Sequence, residues 1–160
     1  MELSRVNFTP RFFADRPVEL LRDGELSAVA FRYETGVCGL RVGNVHCSMV
    51  VLPYMGQQIW FAEFEGKNLT QRTMFDQPLK TTKFGDNYGA LLLHCGLTNI
   101  NCAEEGEDYP LHGELPFADY PETYTGIGRD EKGKYLAVGG TYVYRNSQEY
   151  HYAYSPELRI

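Results

Sequence analysis

Four histidines, His46, His94, His112 and His151, are the side chains whose ordinary pKa suits proton transfer near neutral pH. His112 stands in the run Tyr109-Pro110-Leu111-His112-Gly113-Glu114-Leu115-Pro116, between two prolines and against a glycine. A frame that stiff predicts an imidazole aimed at something. His94 ends the apolar run 90–93 and precedes Cys95-Gly96, where a strand would give way to a loop. Strand ends and constrained loops are where binding and catalysis concentrate. His46, in a strand pattern after Gly43-Asn44, and His151, facing away from a row of tyrosines, are expected to be structural or solvent-facing.

Other chemistries fit less well. His94, Cys95, Cys102 and His112 offer enough nitrogen and sulfur for a tetrahedral zinc. Their spacing matches no structural zinc pattern, and adjacent His94 and Cys95 would point to opposite faces if extended. A metal-free site is therefore expected, with no cofactor. No Gly-x-Ser-x-Gly is present, and the cysteines lack an electropositive setting. GxGxxG and GxxxxGK are absent, and Gly126-Ile127-Gly128 lies in a strand region without a following helix. Residues 102–108, with Glu104, Glu105, Glu107 and Asp108, fit a calcium loop poorly and read as a solvated turn. General acid–base work by imidazole remains.

The elements that must position these groups are strands. Sixteen glycines and 14% aromatic residues, in a chain 43% apolar and 22% charged, tilt the composition towards β-structure. Residues 18–21 read as irregular or one short helix, closed by Asp23-Gly24. Strands are then expected at 26–33, 37–42, 45–52 and 58–63, an antiparallel meander punctuated by turn residues such as Gly43-Asn44. Residues 69–93 are less regular. Further strands are expected at 123–129, 134–144 and 149–154. Tyr142 and Tyr144 share one face of their strand, as do Tyr150, Tyr152 and Tyr154 of the next, and such a stripe is more often a half-buried packing face than a ligand platform. Residues 158–160 read as the opening of one more strand.

At 160 residues the chain suits one domain, able to bury roughly 70% of its extended surface. The fifteen basic residues are scattered singly and the net charge is −6, which argues against nucleic acid as a partner. Charges and prolines break the first twenty residues, so neither a signal peptide nor a membrane span is expected. The four cysteines form no Cys-x-x-Cys, and the reducing cytoplasm is the expected home.

Leu111-His112-Gly113, preceded by a turn and followed by Phe117, resembles the Leu-His-Gly motif of the aldose 1-epimerases, or galactose mutarotases. The ordered set of residues 51–59, 89–97, the acidic loop and 109–116 is similar to an uncharacterised bacterial branch of that superfamily. The resemblance implies an all-β fold, an antiparallel β-sandwich of the galactose mutarotase-like supersandwich type, with a free sugar in a groove on one sheet. It implies anomer interconversion by general acid–base catalysis, with His112 near the ring oxygen. His94 falls about where relatives carry a sugar-binding arginine. The residues expected to meet the sugar are His94, His112, Trp60 and Asn99.

The resemblance also implies a second histidine, an aspartate and a glutamate base from the second half of a sandwich roughly twice this long. Residues 1–160 are thus expected to form one incomplete domain, the N-terminal half. Its uncovered edges should lead to homodimerisation or to pairing with the missing C-terminal half. A non-catalytic sugar-binding module and a metal-dependent sugar isomerase using His94 and His112 are the alternatives.

Overall fold

The computed structural model describes residues 3–148 and 150–160. Turn residues cut most of this length into short antiparallel strands. β1 (Leu3–Phe8) precedes a meander of six: β2 (Val18–Asp23), β3 (Leu26–Arg32), β4 (Cys38–Gly43), β5 (Cys47–Leu52), β6 (Gln58–Phe64) and β7 (Lys67–Asn68). These six pair in chain order as one sheet. After a long irregular segment come β8 (Glu122–Asp130), β9 (Gly133–Arg145), β10 (His151–Tyr154) and β11 (Glu157–Arg159). They form the second sheet with β1, in the order β1-β8-β9, with β10 and β11 both pairing with β9.

Alternation explains how the sheets meet. In β3, Leu26, Ala28 and Ala30 are buried while their neighbours are partly exposed. Leu40, Val42 and Val51 from the meander join Phe8, Leu136 and Val138 of the second sheet, with Phe13, in one buried cluster. Full burial of each Val or Leu contributes roughly 1.5–3 kcal/mol. Thirteen-residue β9 is buried over its middle, where β8 and β11 flank it. The result is an all-β antiparallel sandwich: the residue pattern predicts its strands, and the resemblance implies the sandwich.

Residues 18–21 are not helical. Val18–Asp23 pairs with β3, and a register shift between Glu19 and Leu21 lets both Leu20 and Leu21 pack against the core. Glu, Leu and Arg favour a helix locally, but the tertiary packing of two adjacent leucines at a bulge outweighs that preference. The strand expected from residue 45 begins at Cys47, because the Asn44 side-chain oxygen accepts the N–H groups of His46 and Cys47 at 2.8 and 2.9 Å and prolongs the turn. Glu149, where the last tyrosine strand was expected to begin, lies outside the described residues. Ile160 continues the ladder beyond β11, exchanging two backbone hydrogen bonds of 3.0 Å with Leu136.

The irregular segment between β7 and β8 carries both candidate histidines. It is pinned to β6, where Ile59 donates to the Leu92 carbonyl at 2.9 Å and accepts from Leu91 at 2.8 Å. Its later part buries Leu115, Ala118 and Tyr120, against which Tyr142, Tyr152 and Tyr154 pack. The tyrosine stripe thus holds this segment to the second sheet. Among the described residues no helix is long and apolar enough to cross a membrane.

Candidate functional site

The frame around His112 is built by backbone hydrogen bonds more than by its prolines. Gly113 donates to the Pro110 carbonyl at 2.8 Å, closing a four-residue turn with Leu111 and His112 at its centre. His112 takes φ +64, in the left-handed region, which costs a side-chain-bearing residue about 1–2 kcal/mol. The neighbouring 96–101 loop holds it there. His112 N–H donates to Asn101 O at 2.8 Å, Gly96 N–H donates to His112 O at 2.9 Å, and Leu115 N–H donates to Gly96 O at 3.1 Å. Gly113, at φ +84, lies so close that a Cβ would stand 2.4 Å from the Asn99 carbonyl oxygen. A strained backbone held from both sides is the kind found at binding and catalytic positions.

The imidazole of His112 lies 4.7 Å from the ring of Phe84, tilted by 58°. It borders a hollow of about 380 Å³, shared with Gln71, Phe84, Tyr88 and Cys95. Phe84 and Tyr88 are themselves 5.3 Å apart. Their loop is fixed from below by Asn87, 3% exposed, whose side-chain oxygen accepts Leu79 N–H at 2.8 Å. Such a hollow has the size of a small-molecule site, and its imidazole, amide and two aromatic rings can hold a polar ring with apolar faces.

Beside it, the Glu114 carboxylate ties the two loops together. It accepts Leu97 N–H at 2.7 Å, Thr98 N–H at 3.2 Å, the Thr98 hydroxyl at 2.5 Å, and the Tyr152 hydroxyl. Burial alone would raise its pKa, but the bonds from Thr98, Tyr152 and the backbone outweigh it and hold the carboxyl below its usual range. Tyr152 is pushed up, by burial first and then by its bond to Glu114 and that group's charge.

His94 is held by β10 as well: its Nδ1 lies 3.0 Å from the Tyr154 hydroxyl, with the rings edge-on at 5.4 Å. Burial lowers its pKa. It borders a different, smaller hollow of about 160 Å³, together with Gln57, Ile59 and Glu157, so the two histidines do not share a cavity. Trp60 is 6% exposed and packs in the core with Leu52, Met55 and Ala90, its ring covered; Phe84 and Tyr88 supply the aromatic walls instead. Asn99 is partly buried and meets the His112 turn through its carbonyl, against Gly113. Among the described residues no three His, Cys, Asp or Glu side chains form a metal-holding group.

The sequence reasoning missed Phe84, Tyr88, Gln71 and Glu114. A signal for the first two existed in Phe84-Gly85-Asp86-Asn87-Tyr88-Gly89, a loop-like stretch bounded by aromatics. For Glu114 it was only adjacency to His112-Gly113.

Two stacked antiparallel sheets joined by a long histidine-bearing segment place the chain among the β-sandwich proteins, and its fold is that of one solved sandwich in particular. The chain superimposes on the crystal structure of a "putative aldose 1-epimerase" from Klebsiella pneumoniae subsp. pneumoniae MGH 78578 with a TM-score of 0.74, over 99% of this chain and 43% of that one. Sequence identity is 11%, so the likeness is one of fold. This chain spans less than half the length of the solved structure it matches. No family model matches the sequence, and no curated protein matches it.

Proposed function

We propose that this chain forms the sugar-binding part of an aldose 1-epimerase-like protein, with a free aldose in the hollow beside His112. The observation that carries the proposal is the left-handed, doubly clamped backbone of His112, which sets its imidazole against a hollow walled by Phe84 and Tyr88. The fold likeness supports it. The aromatic rings would lie against apolar ring faces, and Gln71 would bond hydroxyls.

Interconverting anomers requires a base to take the proton from the C1 hydroxyl while an acid protonates the ring oxygen. The bond between C1 and that oxygen breaks, C1 becomes a carbonyl, and the ring recloses on either face. His112 is assigned the ring oxygen. No carboxylate lines the hollow among the described residues, so the base is assigned to a part of a longer parent protein. That same lining favours a second description of the 160-residue chain itself, as a binding module without proton transfer. The four free cysteines support a reducing, cytoplasmic setting.

The test is anomer exchange, followed by polarimetry or NMR on a panel of free aldoses with the full-length parent. His112→Ala should slow exchange by about 10²–10⁴-fold, the usual contribution of one general acid or base. Exchange that survives the substitution unchanged would remove His112 from the mechanism.

A further inference from the structure

A second, larger hollow of about 640 Å³ opens beyond Phe117, whose ring meets Phe84 edge-on at 6.5 Å. Its chemistry differs from that beside His112. Val37, Met55 and Phe117 give it apolar surface, while Arg32, Lys80 and Lys83 bring three positive charges to the same lining. Asp119 is the single carboxylate there, which leaves two positive charges in excess. The chain as a whole carries −6, so this hollow runs against the sign of the molecule.

The cations are placed by the fold. Arg32 donates from Nε and Nη2 to Phe13 O, from Nη2 to Pro10 O and from Nη1 to Gly36 O, at 2.9–3.1 Å. Those bonds fix the guanidinium among neutral carbonyls, with no carboxylate partner among the described residues. They use four of its five N–H groups, leaving one on Nη1. Neither Lys80 nor Lys83 has an ion-pair partner among the described residues. Their loop is tied at one end, where Leu79 N–H donates to Asn87 Oδ1 at 2.8 Å, and is turned internally, where Lys83 N–H donates to Thr81 Oγ1 at 3.0 Å. The field reaches inward as well. Burial raises the Cys38 thiol, and Arg32 and Lys80 pull against that rise.

We propose that this hollow binds an organic phosphate monoester. The phosphate sits among Lys80, Lys83 and the remaining N–H of Arg32, and the apolar body lies against Val37, Met55 and Phe117. A phosphate monoester is close to a dianion at neutral pH, since its second pKa is about 6, and so matches the excess of two positive charges. The apolar surface supplies what inorganic phosphate cannot use. The site is independent of the aldose proposed beside His112.

The test is titration of the protein with phenyl phosphate at neutral pH and low salt, followed by NMR and calorimetry. Lys80→Ala/Lys83→Ala, two exposed positions whose loss leaves the core untouched, should weaken binding by about tenfold or more, with an unchanged circular dichroism spectrum. Phenol and inorganic phosphate should each bind about tenfold or more weakly than phenyl phosphate. His112→Ala should leave phenyl phosphate affinity unchanged. The proposal is overturned by no saturable binding, by a double variant that binds as well as the parent chain, by phenol or inorganic phosphate matching phenyl phosphate, or by loss of binding in His112→Ala.

Discussion

Gly96 donates its N–H to the carbonyl oxygen of His112 at 2.9 Å, and through this bond the loop that follows His94 holds the turn that carries His112. The turn is left-handed at both His112 (φ +64) and Gly113 (φ +84), so its geometry depends on that neighbouring loop staying in place.

Gly113→Ala tests the close approach of the two loops. An alanine at φ +84 is strained, and its Cβ would stand 2.4 Å from Asn99 O. The expected loss is about 2–4 kcal/mol, from backbone strain and overlap together. Gly106→Ala is the control, with φ +90 and nothing within 4 Å of the added Cβ, and should cost only the strain, about 1–2 kcal/mol. Urea denaturation measures both. Equal losses would show that the loops do not pack as described.

Acid should loosen the Glu114 tie. Its folded-state pKa lies below the ordinary carboxylate value of 4.5, so its contribution is fully present above that value and is lost as pH falls through the folded one. Stability measured against pH below about 5 should fall less steeply in Glu114→Gln than in the parent chain. Superimposable profiles would show that the carboxylate carries no such linkage.

His94 should stay neutral to lower pH than a free imidazole. Burial lowers its pKa from 6.5, so the unfolded chain binds the proton more readily, and this group's contribution is complete above 6.5 and lost as pH falls. An NMR titration of its ring should give a midpoint below 6.5. A midpoint at or above that value would contradict the burial of the ring against Tyr154.

The outer sides of β10 and β11 have no strand partner among the described residues, and β7 closes the other sheet with only two residues. Open edges invite further strands, so the 160-residue chain should self-associate or take up strands of a longer parent. Sedimentation equilibrium should show concentration-dependent dimer. A monodisperse monomer at every concentration would count against it.

Much of the fold was legible because turn residues and two-residue alternation report strands directly. Leu26, Ala28 and Ala30 carry that alternation, and so do the tyrosines of β9 and β10. Val18–Asp23 was not legible, since a bulge places Leu20 and Leu21 together and breaks the period. At the site, the constrained setting of His112 could be seen in its neighbours, but its cause could not. The bonds to Gly96 and Asn101 join stretches more than ten residues apart, and no local pattern records them. Trp60 has the chemistry of a stacking platform, yet its parity in β6, with Gln58 and Ala62, turns it to the buried face.

The most direct test of the account is whether a free aldose reaches the imidazole of His112. In a titration of the chain with a panel of free aldoses, the His112 ring resonances should shift saturably for at least one sugar, those of His94 should not, and Phe84→Ala should weaken the effect. Resonances of His112 that stay fixed for every sugar, or move no more than those of His94, would contradict it.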